Sequence, residues 1–311
     1  MPSDIPRLAV AANGTELPGL LDATIDLVAA RAASRFTLAF ASQAVAANAF
    51  DDPDLRITLT DVRSQQPMLT GRPDSVTVDR IVGTTVVEGR DLAALFIDQA
   101  LTETYANRTA SDIASDLANR HGLSAAVQAT TTPVGRFFNT DHALLALASE
   151  WDLLSALADA ESFDLQVVDT TLTFGPPSPA NSYALRLSDC IALRQTTAPA
   201  VARAVELTVR SWDAASAQPV VHTATRGKGR SRRQHLTRPN LTPEAAERLA
   251  ERVLADLARF ERTASLTMPG ESTIGIGSVV SVEAEDYRVA ALQRDWGPAG
   301  FVQTLSLVAA S

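Results

Sequence analysis

Two long stretches of this chain alternate apolar and polar residues with a period of two, which restricts them to strands with one covered face. In the first, Ile25 and Leu27 are interleaved with Thr24 and Asp26, and Phe36, Leu38 and Phe40 with Thr37 and Ala39. Leu55, Ile57 and Leu59 then alternate with Arg56, Thr58 and Thr60, Val76 and Val78 open another strand, and a β-branched stretch runs from Ile81 to Val87. Asn13-Gly14, Asp51-Asp52-Pro53 and Gly71-Arg72-Pro73 read as the turns of an antiparallel meander or barrel. The rhythm returns from about residue 183: Val205, Leu207 and Val209 alternate with Glu206, Thr208 and Arg210, and the closing strands are Leu266–Met268, Val279–Val282, Tyr287–Leu292 and Phe301–Val308. No sequence repeat is visible between the two β regions.

The pattern between them is helical. Asp91 is placed to cap a short helix carrying Leu92, Leu95 and Phe96. Thr109-Ala110-Ser111-Asp112 is a capping-box signature for a helix bearing Ile113 and Leu117 and stopped near Gly122. A third helical stretch, about 141–160, contains Leu144, Leu147, Trp151, Leu154 and Leu157; strands Phe163–Val168 and Thr171–Phe174 follow, joined at Asp169-Thr170. The Gly175-Pro176-Pro177-Ser178-Pro179 segment ends this block. A long helix begins at Thr242 with Pro243 in its first turn and runs to about Phe260, with Leu249, Val253, Leu257 and Phe260 on one stripe and the pairs Glu244–Arg248 and Arg252–Asp256 on its wet side. The expected class is α+β and β-rich: a first strand-rich domain over 1–90, an inserted α/β domain over 91–180, and a second strand-rich domain over 181–311 that carries the helix at about 243–260.

With 311 residues, two or three domains fit without disulfides or metals. The formal charge is 27 − 36 = −9, which argues against a general affinity for nucleic acid or acidic membranes. A lone Cys190 excludes an internal disulfide framework and fits a reducing compartment. Met1–Arg7 lacks the basic-then-apolar layout of a signal peptide, and no apolar run approaches the ~18 residues of a membrane span, so synthesis in the cytoplasm and no stable membrane insertion are expected.

Three segments in register resemble the late control D family of phage baseplate hubs, related to the N-terminal hub part of the type VI secretion VgrG spike proteins. The first is Val87-Glu88-Gly89-Arg90-Asp91-Leu92 with Tyr105-Ala106-Asn107-Arg108-Thr109-Ala110-Ser111-Asp112-Ile113-Ala114 and His121-Gly122-Leu123. The second is Glu150-Trp151-Asp152-Leu153-Leu154 with Leu157-Ala158, Phe163-Asp164-Leu165 and Leu172-Thr173-Phe174. The third is Arg238-Pro239-Asn240-Leu241-Thr242 leading into the helix, then Pro269-Gly270, Gly277, Tyr287-Arg288-Val289 and the strand after Gly300-Phe301. The resemblance implies two tail-tube-like barrels joined by an α/β insertion, in a homotrimer that adapts a trimeric spike to the hexameric tail tube and nucleates tube assembly. It implies a spike protein below, the tail tube or distal tube protein above, and tape-measure protein in the lumen of a virion or tail-like particle. The sequence stops just after the second barrel, so a separate spike chain is expected to complete the tip.

No enzymatic activity or cofactor is expected. Arg226-Gly227-Lys228-Gly229-Arg230-Ser231-Arg232-Arg233 is a basic loop in an acidic protein; Arg226, Lys228, Arg230, Arg232 and Arg233 are candidates for contact with an acidic partner, against the plain reading of a solvated loop. No aromatics interleave for base stacking, so sequence-specific nucleic-acid binding is not expected. Glu206, Thr208 and Arg210 are candidates for the channel-facing side of a barrel wall. His121, His142, His222 and His235 lack metal-ligand spacing, and His121 reads as a helix-end residue. A tail-associated cell-wall hydrolase needs Glu150, Asp152, Asp159, Glu161 and Asp164 to converge, whereas on a helix they read as a wet face. A tail-tip receptor- or carbohydrate-binding module is the third reading; Trp151, Trp212 and Trp296 are too scattered for a sugar platform and read as packing anchors. Gly275-Ile276-Gly277 reads as a hairpin or bulge.

Overall fold

The computed structural model describes residues 8–310 except 30–31, 46, 104, 106, 132–148, 178–180, 199–202, 214–216, 239–240 and 299. The expected helical residues Leu144 and Leu147, together with His142, Pro179, Pro239 and Asn240, lie outside the described residues. The first half holds β1 (Leu8–Ala12), a short β2 (Thr15–Glu16), β3 (Leu20–Val28), β4 (Arg35–Ala41), β5 (Ile57–Asp61), β6 (Gln66–Asp79) and β7 (Thr84–Asp91). Six strands lie side by side in the order β1-β5-β6-β7-β4-β3, all antiparallel, with β2 paired to the outer side of β1. Alternation does the work the sequence promised: Phe36, Leu38, Phe40, Ile57, Leu59 and Val87 turn into one core.

The Gly71-Arg72-Pro73 turn is corrected, because these residues run through the middle of β6. A Cβ at Gly71 would collide with the Arg90 carbonyl, and one at Gly89 with the Arg72 carbonyl and the Phe36 ring. The glycines therefore let two backbones and an aromatic ring approach closely. Proline is tolerated where the β6–β7 register slips between Pro73 and Ser75.

Helix α1 (Ala94–Asp98) follows, then α2 (Ala110–Arg120), β8 (Ser124–Val127), α3 (Glu150–Glu161), β9 (Asp164–Val168) and β10 (Thr171–Gly175). Asp91 does not act as the N-cap of α1; it accepts from the backbone N–H of Ser34 and of Ala93, tying β7 to the start of β4. The capping box at Thr109 and Asp112 forms, and a second joins Ser149 and Asp152. The helices pack on the β8-β10-β9 sheet through Ile113, Leu117, Trp151, Leu154, Leu172 and Phe174.

Strands β11 (Ser182–Leu185) and β12 (Ala192–Thr197) open the second half. The chain then leaves it to build a nested unit of β13 (Arg203–Asp213), β14 (Gln218–Arg226), β15 (Lys228–Thr237) and α4 (Pro243–Arg259). Thr242 caps α4 and Pro243 sits in its first turn. The helix covers one face of a separate three-stranded sheet ordered β14-β13-β15, with Leu207, Val209, Val220, Leu249 and Leu254 between them. Phe260, expected on the buried stripe, is 55% exposed just beyond the helix end. On the helix's outer side Arg259 pairs with Asp256, while Arg252 reaches across to the Phe163 carbonyl. The chain returns with β16 (Arg262–Pro269), β17 (Val279–Val282), β18 (Glu285–Gly297) and β19 (Gly300–Ala309).

The six strands of the second half lie in the order β11-β17-β18-β19-β16-β12. Ranked by position in the chain within each half, both halves read first-fourth-fifth-sixth-third-second. They differ in the sense of one pair, β11·β17 being parallel where β1·β5 is antiparallel. The fifth strand of each half bulges against the sixth, at Asp74 in β6 and at Ala290 in β18. Aligned on these bulges, Leu38 coincides with Leu266, Phe36 with Ala264, Phe40 with Met268, Val87 with Leu305, and Ile57 with Val280, and every one of these is buried.

Candidate assembly surfaces

The two halves share one continuous sheet. Tyr287 and Arg288 at the start of β18 pair with β17, and beyond the bulge Ala291–Trp296 pair antiparallel with Val28–Ala23 of β3. At this seam Thr24 Oγ1 donates to Asp295 at 2.8 Å. The tip of the β18–β19 hairpin enters the core of the first half, where the rings of Trp296 and Phe301 stack 4.3 Å apart. Arg294, 3% exposed, donates to the carbonyls of Ser272 and Ile274. Burial pulls its guanidinium down to about 10, against the pull of Asp61 and Glu271. Burial alone would raise the Asp61 carboxyl, but hydrogen bonds from the Ser272 side chain, Arg63 and Ser64 outweigh it and hold Asp61 below its ordinary value. Where the seam meets the α/β insert lies a cavity of about 350 Å³, bordered by Met68, Asp91, Trp151, Val167, Ile276 and Arg294.

Several strands are paired on one side only among the described residues, including β2, β11 and the outer strands of the two small sheets; β12 and the far part of β6 are two more. The outer edge of β12 meets no strand, and β6 beyond Pro73 has β7 on one side only. All six residues Asp74–Asp79 are exposed, and the hairpin tip presents Ile81 at 99% and Val82 at 70% exposure.

Glu206, Thr208 and Arg210 lie on β13, in the small nested sheet and outside the barrel wall where they were expected. Their neighbours Val205, Leu207 and Val209 find α4 instead of a barrel core. Thr208 is buried against Thr223, while Glu206 and Arg210 share a face with Trp212, 54% exposed, and Val221, 63% exposed. The basic run is largely strand: β14 ends at Arg226, the chain turns at Gly227 with φ +92°, and β15 begins at Lys228. It passes around the start of β13 from one edge of the sheet to the other. Arg226 and Arg232 are exposed, and Arg233 reaches Glu206 at 3.2 Å; the side chains of Lys228 and Arg230 lie outside the described residues.

The acidic residues of 150–164 do not converge. Glu150, 1% exposed, holds Arg120 and the His121 ring, each at 2.6 Å. Asp152 closes its capping box, Glu161 is half-buried toward Arg248, and Asp164 faces Arg252 at 3.8 Å. His121 is the C-cap of α2, with its ring edge-on to Phe96. Trp151 and Trp296 are buried, Trp212 is not. Gly275–Gly277 forms a turn before β17, with Gly277 at φ +80°. Sequence reasoning missed the seam residues, and the one trace of the open β6 edge is Val76 and Val78 alternating beside a β-branched tip.

Two like β halves in one sheet, separated by an α/β insert, define the class: the fold is that of phage tail proteins. A tail protein from Neisseria meningitidis MC58 superimposes with a TM-score of 0.75 at 17% identity, over 97% of this chain and 96% of that one. The 43 kDa tail protein of prophage MuSo2 from Shewanella oneidensis gives 0.74 at 19% identity, over 97% and 98%. An E. coli component of the type VI secretion system, itself structurally similar to the T4 tail proteins gp27 and gp5, gives 0.61 at 10% identity, over 97% and 77%. A family model described as the Alg8 N-terminal domain matches residues 74–268, more than half of the chain. The matched span starts inside β6 and ends inside β16, so it follows no single unit of the fold. No curated protein matches the sequence.

Proposed function

We propose that this protein is a structural baseplate hub of a phage tail or related injection particle, in which three copies form a collar that presents six like β halves to a six-fold tube. The observation that carries this reading is the doubled strand order: one chain holds the same wall element twice, joined edge to edge by β18 and β3. A ring of three such chains repeats the element six times while keeping three-fold symmetry for a spike below. The tail tube or distal tube protein then seats above, and tape-measure protein passes through the centre. The function is mechanical: no step of it needs a cofactor, and the carboxylates expected of a hydrolase are turned to Arg120, His121 and their own helix cap.

The basic run supplies a lateral contact in this reading. Without Arg226, Lys228, Arg230, Arg232 and Arg233 the chain carries 22 cationic against 36 acidic residues, so these five concentrate positive charge where an acidic partner docks. Gel filtration with light scattering, together with negative-stain images, tests the proposal. Three-copy particles with a central hole are expected at high concentration or with the spike protein added. A protein that stays monomeric at every concentration and with the spike present overturns it.

A further inference from the structure

The two halves match strand for strand, yet their fifth strands end differently. In β18 the residues beyond the bulge find β3. In β6 the residues beyond the equivalent bulge find no second neighbour among the described residues. The equivalence also names the missing mate: the second-half counterpart of β3 is β12, whose outer edge likewise meets no strand among the described residues. Six strands of the same sheet separate β12 from β6, so the two edges of one chain do not meet.

We propose that a second copy of this chain supplies the mate, β6 of one copy pairing antiparallel with β12 of the next and repeating between copies the β18·β3 seam found within one. The inference rests on the hub reading and deepens it by naming the strands that join its copies. Carrying the internal pairing through the two equivalences fixes the register. Ala291↔Val28, Gln293↔Asp26 and Asp295↔Thr24 become Ser75↔Ala198, Thr77↔Thr196 and Asp79↔Arg194 between copies.

Three features of the open edges agree with this register. Val76 and Val78, each 37% exposed, occupy the positions of Leu292 and Arg294, which are 1% and 3% exposed, so the pairing buries them as the internal seam buries their counterparts. Asp79 meets Arg194, an opposite-charge pair on the face where Asp295 meets Thr24. Thr77 and Thr196 meet on that same outer face, and both are exposed in the single chain. An open edge with apolar side chains is an aggregation hazard unless something pairs with it, and head-to-tail pairing of this kind repeats until a ring closes.

Opposed residues of an antiparallel pair lie within disulfide reach, about 4.5–5.5 Å between Cα atoms. The full chain with Cys190→Ser, Thr77→Cys and Thr196→Cys, oxidised with copper phenanthroline, is therefore expected to form disulfide-linked multimers on a non-reducing gel. A register control with Thr77→Cys and Arg194→Cys should link at least tenfold less. Arg194→Asp, which faces Asp79 with a like charge, should weaken assembly by about fivefold in light scattering. All these positions are exposed, and circular dichroism checks that each variant folds. Rings of the Thr77→Cys, Thr196→Cys variant that assemble but do not cross-link, or that link equally in both registers, overturn the pairing and leave the hub reading standing. A chain that neither assembles nor links overturns both.

Discussion

Asp61 shows how one buried carboxylate holds the two halves together. It ends β5 in the first half, yet one of its hydrogen bonds comes from Ser272, whose carbonyl also accepts from Arg294 on β18. Its carboxyl is held below its ordinary 3.8, so the stability it contributes is fully present above that value and is lost as pH falls through the lower folded value. Asp61→Asn is expected to cost about 1–3 kcal/mol at neutral pH by urea denaturation, since buried donors lose a charged acceptor. The difference between variant and parent should shrink as pH falls below about 4, and a difference that stays constant to pH 2 would contradict the assignment. Little of this could be read from the residues in order, because Asp61 and Ser272 are linked only through the fold. The same holds for Gly71-Arg72-Pro73, which reads locally as a turn and becomes a strand because Phe36 and the Arg90 backbone need the room.

Elements defined by their own caps were legible. Thr109 and Asp112, and Thr242 with Pro243, specify helix starts through contacts within four residues, and the structure keeps both. Elements whose partner lies far away were not. The basic residues after Arg226 read as a loop from charge alone, but their backbone pairs with β13 and makes a strand. Likewise Val205, Leu207 and Val209 announce a strand without saying which core it joins, and α4 decides that. The nested unit therefore carries a core of its own, and Leu249→Ala should cost about 2–5 kcal/mol locally. Hydrogen exchange should show loss of protection in β13 and α4 while β4 and β16 keep theirs. Equal loss across the large sheet would mean the unit is not separable in this way.

At the scale of the molecule the strand-rich halves were legible, and their equivalence was not. Of the five core positions that coincide only Leu38 and Leu266 share identity: Phe36 stands where Ala264 does, and Phe40 where Met268 does, so no residue-by-residue repeat survives to be seen. What the repeat preserves is order and register, which are properties of hydrogen bonding between distant strands. This also decides how the protein comes apart. The β18–β19 hairpin belongs by sequence to the second half, but Trp296 and Phe301 complete the core of the first, and β18 pairs with β3 along the seam. Neither half has a finished core without that hairpin. Removing the larger of the two stacked side chains should therefore cost both. Trp296→Ala is expected to destabilise the chain by about 3–5 kcal/mol. Amide protection of β5, in the first half, should fall together with that of β16, in the second. Loss confined to β1–β7, with β16 and β19 still protected, would show two independent domains that merely touch. Joint loss means that one chain delivers its two wall elements as a single rigid piece, as a collar built from copies of it requires.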